Sequence, residues 1–219
     1  MFSKLFGQKR EQATVKNFHE LYYYNHKQTW TDTYWMGVPA EKCPLDMWIY
    51  QEILFSVKPD LIVETGTYRG GSAFYMASLC DLMKKGRIMT IDIDHPSDLP
   101  RHDRITYVKG SSIDQNIIQN VRDAVADAGV VLVILDSNHH KDHVLEELRL
   151  YHSFVTKGSY LIVEDTNING HPVNPKYGPG PMEAVDAFLA ENQDFEIDST
   201  KEKFYLSFNP RGYLRRVTS

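Results

Sequence analysis

The sequence predicts an α/β domain built on a mostly parallel sheet of about seven strands, doubly wound and closed by an antiparallel edge. Three observations predict it. From Asp60 onward, short β-rich runs alternate with segments of helical period, the pattern of βαβ units covered on both faces. The first of these runs leads directly into a glycine-rich turn. The later runs, Val130 to Leu135 above all, are uninterrupted apolar stretches, as expected of strands buried on both sides. The architecture is Rossmann-like, with a helical, aromatic extension ahead of it.

In chain order, Leu61-Ile62-Val63 reads as the first strand and Ser72 to Lys84 as a helix ended by Lys85-Gly86. Arg87 to Ile91 is a second strand ending in Asp92, and Ile105 to Val108 a third. The next helix shows Ile117, Val121, Ala124, Val125 and Ala128 at three- and four-residue steps. After Val130 to Leu135 comes a helix marked by Val144, Leu148, Tyr151 and Val155, then a fifth strand, Tyr160 to Val163. Met182 to Leu189 is a further helix. Phe195 to Ile197 and Phe204 to Phe208 are expected to pair as a closing hairpin across the polar residues 198–203.

Residues 59–219 are therefore assigned to the α/β domain. Residues 1–58, with the runs YYYNHKQTW and TDTYWMG, do not follow the βαβ rhythm and are assigned to a cap, lid or oligomerisation segment. The basic start MFSKLFGQKR lacks the apolar core and cleavage site of a secretory signal and reads as an arm.

Composition bounds the function. With 42% hydrophobic and 24% charged residues in 219, the chain has the profile of a soluble globular protein, with no apolar run long enough for a membrane span. A net charge of −5, with lysine and arginine scattered, offers no basic stripe, so nucleic acid is not an expected partner. Cys43 and Cys80 make neither a disulfide framework nor a metal cluster and point to buried thiols in a reducing, cytoplasmic setting. A homo-oligomer is expected.

The glycine turn runs Glu64-Thr65-Gly66-Thr67-Tyr68-Arg69-Gly70-Gly71-Ser72. Glycine permits positive φ and leaves no Cβ in the way of a ligand, although a tight strand-to-helix connection with Ser72 as N-cap would look the same. The spacing departs from the dinucleotide fingerprint, and an acid occupies the strand end. A carboxylate at Glu64 would repel phosphates but suit the ammonium of an amino-acid-bearing ligand, and S-adenosylmethionine has that group and no phosphate. Asp92 lies where a carboxylate accepts from ribose hydroxyls. Ser112 and Asp114, in Gly110-Ser111-Ser112-Ile113-Asp114, are polar groups for an adenine or, equally, a helix cap.

Strand four ends in Asp136-Ser137-Asn138-His139-His140 and strand five in Glu164-Asp165. Ligands of open α/β sheets bind outside the carboxyl ends of the strands, so these acids converge on one cleft. Three carboxylates in one space need raised pKa values or a cation, and oxygen-only ligands suit Mg2+ or a similar hard ion. The trio Asp136, Glu164 and Asp165 is the expected metal site. His139 stands above it as a proton acceptor, with His140 and His143 equal to it on composition.

The motifs PDLIVETGTYRGGSAFYMA, TIDID, KGSSID, LDSNHH and LIVEDTNING, together with Trp35-Met36-Gly37, Lys42, Pro44, Asp46 and Tyr50-Gln51-Glu52, resemble the cephalosporin hydroxylase and rhamnosyl O-methyltransferase family. The resemblance covers the last four-fifths of the chain. It implies a class I methyltransferase fold with S-adenosylmethionine near Glu64, Gly66, Ser72 and Asp92; Thr67, Tyr68 and Gly71 of the same turn, with Ser112, Asp114 and Asp136, complete the expected cofactor-binding residues. Similar metal-dependent O-methyltransferases hold Mg2+ with an acid at strand four and an acidic pair at strand five, which fall here on Asp136, Glu164 and Asp165. Their catalytic base, three residues after the strand-four acid, falls on His139.

The resulting expectation is a divalent-metal-dependent O-methyltransferase acting on a hydroxyl of a sugar or other vicinal-diol small molecule. The loop from Gly170 to Pro181 is its expected lid, and the aromatic residues Tyr22 to Tyr24, Trp30, Tyr34 and Trp35 serve sugar stacking or a subunit contact. Two rivals stand beside it. An iron-dependent hydroxylase would use His139, Asp136 and His171, and a non-catalytic S-adenosylmethionine-binding scaffold would keep the fold alone.

Overall fold

The computed structural model describes residues 2–218. In chain order the elements are α1 (Phe2–Tyr24), β1 (Tyr34–Trp35), β2 (Val38–Pro39), α2 (Pro44–Val57), β3 (Leu61–Thr65), α3 (Gly71–Met83), β4 (Arg87–Asp92), β5 (Ile105–Lys109), α4 (Gln115–Ala126), β6 (Val131–Leu135), α5 (Lys141–Tyr151), β7 (Tyr160–Val163), α6 (Pro181–Glu191), β8 (Phe195–Ile197) and β9 (Tyr213–Arg216). The basic start read as an arm is helical from Phe2, and Met1 lies outside the described residues. None of the described helices is long and apolar enough to cross a membrane.

Seven strands form one sheet in the order β5-β4-β3-β6-β7-β9-β8. The first five run parallel, and β9 is antiparallel to both its neighbours. The strand order reverses between β3 and β6, so the cleft outside their carboxyl ends is the topological switch point.

Strand side chains alternate between two cores. Leu61, Val63, Val131, Val133, Leu161 and Val163 face α4, α5 and α6, where Val121, Leu148, Tyr151, Val185 and Phe188 close over them. Ile62, Ile88, Leu132, Ile134 and Ile162 face the opposite way, against Ile49, Ile53 and Leu54 of α2 and Met76, Ala77 and Cys80 of α3. The continuous apolar runs in the sequence are the direct trace of this two-sided burial. Cys43 and Cys80 are free, buried thiols.

The closing hairpin differs from expectation. Phe195 to Ile197 forms β8, but it pairs with Tyr213–Arg216, and residues 204–208 are not a strand. Leu206 and Phe208 instead pack with Cys43, Tyr22, Tyr23 and Trp30. The buried carboxylate of Asp46 takes the hydroxyls of Ser207 and Tyr213 and the amide of Phe208, so that amide is unavailable to a sheet ladder. Burial pushes the Asp46 carboxyl up to about 6 despite these bonds.

Gly66 marks the tightest point of the sheet. Its φ is +90°, and a Cβ there would lie 2.0 Å from the carbonyl oxygen of Asp136. Gly66→Ala therefore combines left-handed strain with overpacking at the switch point. We expect a loss of roughly 2 to 5 kcal/mol in stability, read as a lower urea midpoint at unchanged m-value. A midpoint equal to that of the parent protein would contradict this.

Candidate active site

The ladders place the acids in one row. Thr65 pairs with Ile91 and Leu135, and Leu135 with Val163, so the next residues across four adjacent strands are Asp92, Gly66, Asp136 and Glu164. The backbone bonds from Gly66 to Ile91, Asp136 to Thr65 and Glu164 to Leu135 carry the register into that row. Asp165 follows in the left-handed region, with φ +54°, which breaks strand alternation so that its carboxylate comes to Asp136 and His139.

The row opens onto a cavity of about 390 Å3, the size of a small-molecule site. Its walls include Gly66, Thr67, Tyr68, Gly71, Ser72 and Asp92 on one side and Asp136, His139 and Asp165 on the other. Tyr23, Trp30, Asn174 and Tyr177 form the outer rim. Asp92 accepts from the amide of Tyr68 at 2.9 Å and from that of Asp94 at 3.2 Å, which fixes its carboxylate at the cavity edge.

Four residues singled out in the sequence lie outside this wall: Glu64, Ser112, Asp114 and Glu164, the last at a smaller recess shared with Asp136 and Asp165. Glu64 is fully buried beneath the glycine turn, where its two oxygens accept from Ser72 at 2.5 Å and Thr90 at 2.6 Å. Burial pushes its carboxyl up to about 7, against the pull of Lys42 and the two hydroxyls. Its place is under the loop, which it braces. Ser72 is correspondingly a brace for Glu64, the helix N-cap position being Gly70. Ser112 faces His143, 3.1 Å away, and Asp114 occupies the N-cap position of α4 without a side-chain cap bond.

His139 lies with Nε2 3.3 Å from Asp165. Ligand atoms of Asp136, His139 and Asp165 come within 4.8 Å of one another, a spacing one small cation can bridge. Behind them a recess of about 30 Å3, lined by Lys42, Tyr50, Asp136, Glu164 and Asp165, has room for an ion or a water. The other histidines weighed in the sequence, His140, His143 and His171, have other partners. His140 stacks on Tyr177 at 5.2 Å, and His143 faces Ser112, Ser137 and the buried Glu147. His171 pairs with Glu183 at 2.8 Å, away from the cavity wall, which leaves the hydroxylase trio of His139, Asp136 and His171 unassembled.

Sequence reading attached no role to the groups that hold the acids. Lys42 reaches both Asp136 and Glu164, the latter at 2.6 Å. Tyr50 donates to the other oxygen of Glu164 at 2.7 Å, and Asn209 donates to Tyr50 while accepting the amide of Asp165. Burial raises the carboxyls of Asp136, Glu164 and Asp165 above their ordinary range, with Lys42 and His139 pulling the other way. Lys42, Tyr50 and Asn209 carry no motif spacing of their own; only the resemblance touched the first two.

The family model described as rhamnosyl O-methyltransferase/CmcI matches residues 27–217. A rhamnosyl O-methyltransferase of Mycobacterium tuberculosis is 39% identical over 211 residues, covering 93% of this chain and 85% of that protein. Its counterpart in Mycobacterium leprae is 37% identical over 210 residues, covering 93% and 91%. Among solved structures, CmcI with Mg and SAM superposes with a TM-score of 0.68 at 23% identity, over 86% of this chain and 78% of that one. Apo CmcI gives 0.66 with the same identity and coverage. At that identity the structural likeness speaks for the fold alone.

The loop that carries Asn174 and Tyr177 is anchored through Glu183, which accepts from Asn169, His171 and the amide of Gly180. Burial opposes its charge, but these donors hold its carboxyl down at about 2. A depressed carboxyl contributes stability above its unfolded pKa, near 4.3, and loses it as pH falls through the folded value. The melting temperature of Glu183→Gln is therefore expected to lie below that of the parent protein above pH ~4.5, with the gap closing toward pH ~2. Thermal unfolding across that range checks this, and a gap independent of pH would refute it.

Proposed function

The chain belongs to the rhamnosyl O-methyltransferase/CmcI family, and from that premise we propose that it moves a methyl group from S-adenosylmethionine to a hydroxyl of a sugar bearing vicinal oxygens. One observation carries the reading. The glycine turn, Asp92, the three strand-end carboxylates and His139 gather at a single cavity and its recess.

The cavity accommodates the cofactor's chemistry. Gly66, Thr67, Tyr68, Gly71 and Ser72 form the turn along which it would lie, Asp92 offers a fixed acceptor for ribose hydroxyls, and Glu64 holds the turn from below. The residues also fit a divalent cation. Asp136, Glu164 and Asp165 with the single ammonium of Lys42 leave two negative charges, which one such ion neutralises; Asp136 and Asp165 stand at ligand spacing, and Glu164 lines the recess beside them. Each Glu164 oxygen, though already accepting from Lys42 or Tyr50, retains a second lone pair. Bound there, Mg2+ would supply Lewis acidity to the acceptor's oxygens.

The chain's own part is orientation and proton removal. His139 Nε2, at the cavity wall, takes the proton of the acceptor hydroxyl. The oxygen so freed attacks the sulfonium methyl, the C–S bond breaks and S-adenosylhomocysteine departs, with no covalent enzyme intermediate. Tyr23, Trp30 and Tyr177 give the acceptor an aromatic rim suited to the apolar face of a sugar ring. Residues 1–58 are the cap that delivers Tyr23 and Trp30 to that rim. Two buried free thiols support a cytoplasmic enzyme, which we take to work as a homo-oligomer.

The test is methyl transfer to a rhamnosyl glycoside, with and without EDTA, beside calorimetry of cofactor binding. EDTA should abolish turnover and Mg2+ restore it. His139→Ala is expected to lower kcat by roughly 10²- to 10⁴-fold while cofactor affinity stays near that of the parent. Loss of cofactor binding in that variant would contradict the base assignment. Cofactor binding with no transfer to any diol-bearing sugar would make the protein a binding scaffold.

A further inference from the structure

Lys42 is a buried cation supplied by the segment ahead of the α/β core. It is 7% exposed and stands between two strand-end acids. The backbone is built to put it there. Pro39 crosses the start of α3 so closely that a Cβ on Gly71 would lie 2.2 Å from its carbonyl oxygen. Glu41 adopts a left-handed φ of +49°, and the Thr33 hydroxyl pairs with both the amide and the carbonyl of Lys42. The ammonium then meets Asp136 Oδ2 and Glu164 Oε2.

Both contacts of the Lys42 ammonium are carboxylate oxygens, to which it donates, so this geometry does not make it a proton acceptor. Nor is fold stability a sufficient reason for it, since a buried ion pair seldom outperforms apolar packing of the same volume. What the ammonium does is specific to its place: it joins the acid that follows β6 to the acid that follows β7 and leaves their other lone pairs for the recess shared with Asp165.

We propose that Lys42 is a positioning residue of the metal centre, a tethered counter-cation that fixes Asp136 and Glu164 at ligand spacing and sets the residual charge for a single divalent ion. The inference rests on the metal reading above. Lys42 holds the ligands as hydrogen-bonded partners of metal-binding side chains commonly do, and loss of such a partner typically weakens metal affinity by about 10- to 100-fold. Removal of a nearby positive charge would by itself strengthen cation binding, so the two effects differ in sign.

The experiment titrates the full-length protein with Mn2+, following free ion by electron paramagnetic resonance, with near-ultraviolet circular dichroism to show that each variant is folded. Lys42→Met is expected to bind Mn2+ about 10- to 100-fold more weakly, and Lys42→Arg, which keeps charge and donors, to retain most of the affinity. Should the methionine variant fail to fold, Lys42→Gln, neutral but still able to donate, carries the same expectation. A folded neutral variant that binds Mn2+ as well as the parent, or more tightly, overturns the proposal while leaving the metal reading intact. A parent protein that binds no Mn2+ overturns the metal reading itself.

Discussion

Carboxylates on adjacent parallel strands repel one another and resist burial, and this protein brings three of them together at its sheet's switch point. The ammonium of Lys42 between Asp136 and Glu164 is what makes that assembly possible in the fold. Around it every other group takes its place: Tyr50 and Asn209 behind Glu164, Asn209 again on the amide of Asp165, His139 in front. The cluster remains electrostatically unfinished, with an excess of negative charge directed into the recess. On the function proposed above, that excess is what a bound cation would neutralise.

The two halves of the cavity are held by different means. On the side of the glycine turn, the buried carboxylate of Glu64 ties the strand end, the start of α3 and Thr90 of β4 together through two short hydroxyl bonds. On the opposite side, the rim is assembled from distant segments: Tyr23 stacks on Trp30, and Tyr24 accepts the amide of Asn174 from the loop before α6. The first half is rigid core, the second a set of docked surface pieces. Side chains of the second can change without disturbing the sheet.

Much of this was legible in the sequence because parallel sheets write themselves in apolar runs and place their ligands at strand ends. The strand-end positions of Asp92, Asp136, Glu164 and Asp165 are legible that way, and the nearness of His139 to Asp136 from their spacing. Glu64 is legible as an acid of the first strand, but its direction is not. A strand-end side chain faces one side of the sheet or the other, and Ser72 and Thr90 settle that only in three dimensions. The contacts of Lys42, Tyr50 and Asn209 are not legible because these residues come from outside the βαβ rhythm and meet the acids across 44 to 114 residues of chain. The hairpin at 204–208 was misread for a related reason: alternating aromatic residues look like a strand, yet Asp46, far upstream, takes their amide and hydroxyl.

The placement of β9 bears on how the molecule opens. β8 reaches the sheet only through β9, and the turn that leads into β9 carries Asn209, the residue that steadies Asp165 and Tyr50. Fraying from that edge would therefore release the acidic pair before it released the central strands. The bond of Asn209 to the amide of Asp165 couples that residue to β9 in any such opening. A ligand that grips the acids would stiffen an edge of the sheet it never touches.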